Sequence, residues 1–238
     1  MTKIAGIVFD KDGTLFDFQE TWGAWAGAFL SDLARGDRLH AARLGKAVGY
    51  DVETGTFRPS SPVVAGTPSE IAQALLEQLP GANPQALISR INVSAASAPL
   101  VPAVPLQPLL GGFRAQGIKL GVATNDAEAP ARAHLEAAGI ADLFDFISGF
   151  DSGFGAKPGC GMLDGFCARF DLSPGHVIMV GDSRHDLVAG RTAGMLTVGV
   201  LTGLSSRGDL ADVADAILPD VGGLPGLLAG VDLAESVV

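Results

Sequence analysis

The sequence predicts an α/β protein with a doubly wound parallel sheet, a Rossmann-like core, and a mostly helical cap inserted after the first strand. Three observations lead there. Short apolar runs recur along the chain and each stops abruptly at polar residues. Helical stretches separate those runs, and strands alternating with helices imply a parallel sheet. One long segment near the start breaks the alternation.

The runs are Ile4 to Phe9, ending at Asp10; Ile118 to Ala123, ending at Thr124-Asn125-Asp126; Val177 to Val180, ending at Gly181-Asp182-Ser183; and Leu196 to Leu201, ending at Thr202-Gly203. Phe144 to Ser148 is a weaker strand pattern. Buried parallel strands read as continuous apolar segments, and these do. Helical patterns cover roughly Glu128 to Ala138, Met162 to Phe170 and Asp186 to Ala193. Such sheets bind ligands at the carboxyl ends of their strands, where the polar residues of this chain gather.

The segment from about Phe18 to Ser97 offers helical patterns at Glu20 to Ala34 and Ser69 to Leu79, separated by a loop from Gly49 to Gly66 rich in Gly, Pro, Ser and Thr. It shows none of the strand-then-polar-end units seen elsewhere. Pro102, Pro105 and Pro108 punctuate the return to the core. The expected division is a core of residues 1–16 and 103–238 and a helical cap of 17–102, placed to act as a lid.

Composition limits the function. The chain has 238 residues, 47% hydrophobic and 18% charged, which suits a globular protein. Its net charge of −10 argues against non-specific binding to nucleic acid or an anionic membrane, both of which need a basic surface. A small anionic substrate remains compatible, because a metal ion and a few cations dominate one pocket. Cys160 and Cys167 do not form a CxxC pair and read as helix packing, so a reducing, cytoplasmic compartment is expected. The start MTKIAGIVFDKD lacks the pattern of a secretory leader, and no run of about 18 apolar residues is present to span a membrane.

Four polar elements carry the chemistry. In Asp10-Lys11-Asp12-Gly13-Thr14, the two carboxylates point the same way on an extended chain. Their repulsion calls for a cation, and hard Mg²⁺ suits oxygen ligands. One carboxylate can attack phosphorus while its neighbour handles the leaving group's proton. Gly13 permits a tight turn, although Asp and Gly also favour plain surface turns. Thr124-Asn125 offers a hydroxyl and amides suited to phosphate, or an ordinary helix cap. Lys157 sits in a Gly-rich loop, where a compact cation could neutralise phosphate. Asp182 and Asp186, four apart, could complete an acidic metal site, or Asp182 could cap the helix that follows.

In this order and in these strand contexts, the four elements resemble the haloacid dehalogenase superfamily. The insert's position resembles the helical cap of the phosphoglycolate-phosphatase and β-phosphoglucomutase branch. The resemblance implies that Asp10 is the nucleophile and a Mg²⁺ ligand. It makes Asp12 the general acid/base and a ligand through its carbonyl. Gly13, Thr124 and Asn125 would bind phosphate, with Lys157 bridging phosphate and Asp10. Asp182 would ligate Mg²⁺, and Asp186 would ligate it directly or support a ligand.

The implied activity is hydrolysis of a small phosphorylated metabolite, 2-phosphoglycolate being one such ester. Metal-free dehalogenases and phosphonatases lack the second aspartate of the first motif, which this chain has. β-Phosphoglucomutase keeps both and is the enzymatic alternative. A non-catalytic regulator that binds phospho-ligands is the alternative from another class. In the insert, Arg35, Arg38, Arg43 and Lys46 form a basic cluster read as solvated. Arg58, in the Gly49–Gly66 loop, is the candidate for gripping a substrate carboxylate.

Overall fold

The computed structural model describes residues 3–230. Strand β1 is Gly6–Phe9. The segment that follows contains helices α1 (Phe18–Leu33) and α2 (Arg38–Ala47), the two-residue strands β2 (Tyr50–Asp51) and β3 (Thr56–Phe57), and helices α3 (Pro62–Ala65), α4 (Pro68–Leu76) and α5 (Pro84–Ala95). The core resumes with α6 (Leu106–Ala115), β4 (Lys119–Ala123), α7 (Glu128–Ala137), β5 (Phe146–Ser148) and α8 (Gly161–Phe170). It is completed by β6 (Val177–Gly181), α9 (Arg184–Ala193), β7 (Leu196–Val200), α10 (Arg207–Leu210), β8 (Ala216–Leu218) and α11 (Leu224–Leu228).

Among the described residues the main sheet has six strands in the order β5-β4-β1-β6-β7-β8, all parallel. Strand β1 pairs with β4 on one side and β6 on the other, so the chain reverses its winding beside β1. That reversal opens a crevice at the carboxyl ends of the three central strands. Alternation along β1 sends Ile7 and Phe9 to one face, where they meet Leu110 and Phe113 of α6, and Val8 to the other, with Met162 and Phe166 of α8. Gly6 and Gly121 make room for Phe166, whose ring atoms would lie 2.8 Å from a Cβ at either position. Cys167 is buried beside Phe166 and both cysteines are free thiols, in keeping with a packing role.

The insert has its own apolar cluster, running from Phe18 to Ala98. Helix α1 presents Phe18, Trp22, Ala26, Phe29, Leu30 and Leu33 to it, the three-and-four spacing of one helix face. Its helix starts are written in the sequence. Asp17, Ser61, Thr67 and Asn83 each accept a backbone N–H at an N-terminus, and proline opens α3, α4 and α5. The loop at Gly49–Gly66 differs from the strandless reading: a hairpin, β2 with β3, forms within it. Tyr50 and Phe57 pack at 4.8 Å between centroids, and Tyr50 donates its hydroxyl to the Gly23 carbonyl at 2.7 Å. Tertiary burial of two aromatics overrides the turn-rich composition.

The chain leaves the core and returns to it along adjacent paths. Asp17 N–H donates to the Val101 carbonyl at 2.8 Å, and Ala103 N–H to the Leu15 carbonyl at 3.0 Å. No helix among the described residues is long and apolar enough to cross a membrane.

Candidate active site

Asp10 directly follows strand β1, Thr124 follows β4 and Asp182 follows β6, so the sheet itself delivers three of the expected residues to one edge. After Asp10 the backbone folds back on itself, with Leu15 N–H donating to the Lys11 carbonyl at 2.9 Å and Gly13 N–H to the Phe16 carbonyl at 2.7 Å. Gly13 has φ +80, and a Cβ there would sit 2.5 Å from the Asp182 carboxyl carbon. A Cβ at Gly203 would overlap Asp182 Oδ2. Glycine at both positions opens the space in which the Asp182 carboxylate lies.

Lys157 is the hub. Its Nζ is 2.6 Å from Asp10 Oδ1, 2.6 Å from Asp186 Oδ1 and 2.7 Å from the Ala123 carbonyl, so all three ammonium donors have acceptors. The loop bearing it is fixed by Asn125, whose Oδ1 accepts from Lys157 N–H at 2.8 Å and whose Nδ2 donates to the Lys157 carbonyl at 3.0 Å. Asn125 Nδ2 also reaches the Ala65 carbonyl of the insert at 2.8 Å. Its side chain is thus a joint between strand end, lysine loop and insert. Thr124 is buried, and its Oγ1 accepts from Asp126 N–H at 3.1 Å.

Oxygen atoms of Asp10, Asp182 and Asp186 all lie within 4.8 Å of one another. Asp186 is occupied: Oδ2 accepts Ser183 N–H at 3.0 Å and Ser183 Oγ–H at 2.6 Å, and Oδ1 faces Lys157. The residue preceding α9 is Ser183, not Asp182. Asp182 is left with a buried Oδ2 that has no hydrogen-bond partner. Burial, then the charges of Asp186 and Asp10, push the Asp182 carboxyl well above its ordinary value. Burial also raises Asp10 to about 7, with Lys157 opposing and Asp186 adding to the rise. Burial would lower Lys157, but Asp10 and Asp186 outweigh it and hold the lysine above its usual range. One fixed ammonium cannot balance three buried carboxyls once they ionise, and Asp182 Oδ2 lies among them without a partner. That donor set of hard oxygens fits a Mg²⁺-type cation.

A second buried pairing surrounds Asp12. Lys11 is fully buried and forms an ion pair with Asp12 and another with Asp126 Oδ2 at 3.1 Å. Its Nζ lies 5.4 Å from the centre of the Trp22 ring, and Trp22 Nε1 donates to Asp12 Oδ1 at 2.9 Å. Burial would raise the Asp12 carboxyl, yet Lys11 holds it below its ordinary value. Asp126 stays raised, because burial outweighs Lys11. His134 Nε2 bonds the Ala95 carbonyl of α5 at 2.7 Å and its ring lies 5.9 Å from Trp22. Lys11 and Trp22 escape sequence reading, since each resembles an ordinary solvated lysine or core aromatic. The signal available was a lone cation set between two aspartates at the end of an apolar strand.

Asp10, Asp12, Thr124, Asn125, Lys157 and Asp186 line one cavity, with Asp182 behind Gly13. Its free volume is about 50 Å³, room for little more than a few waters, so the insert sits close over the core. Arg58 is exposed and is not among the residues lining this cavity.

A family model described as haloacid dehalogenase-like hydrolase matches residues 4–194, which include Asp10, Lys157 and Asp182. The chain belongs to the haloacid dehalogenase-like hydrolase family. A phosphoglycolate phosphatase of Nitrosospira multiformis is 28% identical over 219 residues, covering 92% of each chain. A phosphoglycolate phosphatase of Neisseria meningitidis is 38% identical over 115 residues, 48% of each chain. In structure, a "predicted phosphoglycolate phosphatase" of Haemophilus somnus superposes with a TM-score of 0.70 at 22% identity, covering 95% of this chain and 99% of that one. This hydrolase thus stands with the phosphatases of its family, on the phosphoglycolate-phosphatase-like branch.

Proposed function

We propose that this hydrolase is a Mg²⁺-dependent phosphatase that frees inorganic phosphate from a small phosphorylated metabolite through an aspartyl-phosphate on Asp10. The observation that carries the reading is the pairing of Asp10 Oδ1 with Lys157 Nζ at 2.6 Å beside the unpartnered Asp182 Oδ2. It supports a site built for two charges the chain does not supply: a phosphate dianion and a divalent cation.

Asp10, Asp182 and the Asp12 carbonyl would hold the ion, which supplies charge neutralisation to a bound phosphate. Asp186, already engaged by Ser183 and Lys157, supports the lysine more than it offers a free ligand atom. Lys157 orients Asp10 and favours its ionised form against the burial that opposes it. Asp10 attacks phosphorus, the P–O bond to the alcohol breaks, and the leaving oxygen takes a proton from Asp12. A water then attacks the acyl-phosphate, giving its proton to Asp12, and phosphate departs from a regenerated Asp10. Lys11 and Trp22 favour the ionised form of Asp12, the form that accepts this proton.

The test is phosphate release from p-nitrophenyl phosphate and from 2-phosphoglycolate, the substrate in the relatives' names, with Mg²⁺ and with chelator. Release that needs Mg²⁺ and disappears in Asp10→Asn is expected. Phosphoryl transfer to a sugar phosphate with no release to water would instead select the β-phosphoglucomutase-like alternative.

A further inference from the structure

We propose that the cap wall of this site selects a phosphate ester whose alcohol part carries no charge, and that Asn92 gives that part its one hydrogen-bonding contact. This deepens the phosphatase reading and rests on it. The core recognises phosphate alone, so discrimination between esters falls to the insert side of the cavity. That side is made by Trp22, Trp25, Val64, Ile71, Ile91 and Asn92, with small residues between them. Among the described residues, no lysine, arginine or histidine of the insert lines it.

The polar atoms of the wall are mostly spent. Trp22 Nε1 donates to Asp12, and Trp25 Nε1 donates to Ser94 Oγ at 3.0 Å. The Asn92 side chain has no hydrogen-bond partner among the described residues and is half-buried at the cavity. On the core side the cations are committed. Lys157 serves Asp10 and Asp186, and fully buried Lys11 serves Asp12 and Asp126. His185 lines the cavity but is exposed, and it also borders a second groove lined by Pro59 and Ser60. A carboxylate on the alcohol would therefore meet apolar side chains and the Asp12–Asp126 carboxylates. It would lose its water with no arginine or lysine in return. A neutral, partly apolar group would gain contact with the two indoles and Ile71, and an amide or hydroxyl could bond to Asn92.

An isosteric pair isolates the charge: 2-phosphoglycolate against 2-phosphoglycolamide, compared by kcat/KM on the full chain with Mg²⁺. The wild type is expected to favour the amide by at least about tenfold, a modest share of what unpaired-charge exclusion delivers. Asn92→Arg should move that ratio toward the carboxylate by about tenfold or more, and Asn92→Lys serves if the arginine variant does not fold. Equal or reversed preference in the wild type overturns the proposal. An unchanged ratio in a folded Asn92→Arg removes Asn92 from it. No phosphate release from either ester or from p-nitrophenyl phosphate defeats the phosphatase reading itself.

Discussion

Trp22 donates its indole N–H to Asp12 Oδ1 at 2.9 Å, and this bond joins the first helix of the insert to the turn that follows β1 and Asp10. The partner oxygen of the same carboxylate faces Lys11, so Asp12 is held from two sides. Trp22→Phe keeps the aromatic bulk and deletes the donor. A hydrogen bond to a charged group contributes about 1.5–3 kcal/mol, so kcat should fall about tenfold or more. Steady-state kinetics on p-nitrophenyl phosphate decides it. A kcat within about twofold of wild type would show that the bond plays no part in turnover.

Lys11 is expected to be a stability residue as much as a tuning one. Lys11→Met leaves Asp12 and Asp126 close together without their shared cation. Removing one partner of a buried ion pair typically costs about 3–5 kcal/mol. Urea unfolding should show a loss near that range, and adding Asp126→Asn should recover part of it. Strictly additive losses in the double variant would mean the two side chains are not coupled.

The two aspartates of the first motif should separate by role. Asp10→Asn should leave no measurable turnover, because an amide does not form the acyl-phosphate. Asp12→Asn should retain a residue of activity, lowered by about 10²–10⁴-fold through loss of proton transfer. Mass spectrometry after rapid acid quench should find one phosphoryl group on the wild type and none on Asp10→Asn.

Removal of metal should make stability fall with rising pH. In the metal-free fold Asp10 is raised from 3.8 to about 7, so the folded state binds its proton more tightly than the unfolded chain does. Stability from this group is therefore complete below about pH 4 and is lost as pH rises through about 7. Mg²⁺ competes with that proton, so the Tm increase on adding Mg²⁺ should be larger at pH 8 than at pH 5. A Tm increase independent of pH would exclude Asp10 from the metal-binding set.

Much of this site could be read before folding because buried parallel strands announce themselves. β1, β4 and β6 are apolar runs that stop at Asp10, Thr124 and Asp182, and the sheet order then sets those ends side by side. The three-residue strand β8 and the two-residue strands β2 and β3 are too short to show a period, and none of the three was legible. The Lys11–Asp126 pair was equally hidden. Its members lie on different strand ends, and only the β1–β4 pairing brings them together. Asn125 was expected to meet phosphate through its amide. That its side chain also ties the Lys157 loop to the Ala65 carbonyl is something a local motif cannot reveal.

The two crossings between core and insert are hydrogen-bonded to each other, through Asp17 with Val101 and Leu15 with Ala103. To the core, the whole intervening segment is therefore a loop whose ends are already closed. Lengthening such a loop adds little entropic cost, about 0.6 kcal/mol per doubling. Apart from contacts such as Trp22 with Asp12 and Ala65 with Asn125, the sheet places little demand on what is strung between those points. A lineage can redraw the roof, and with it the choice of ester, while the machinery that breaks the phosphate bond stays untouched beneath.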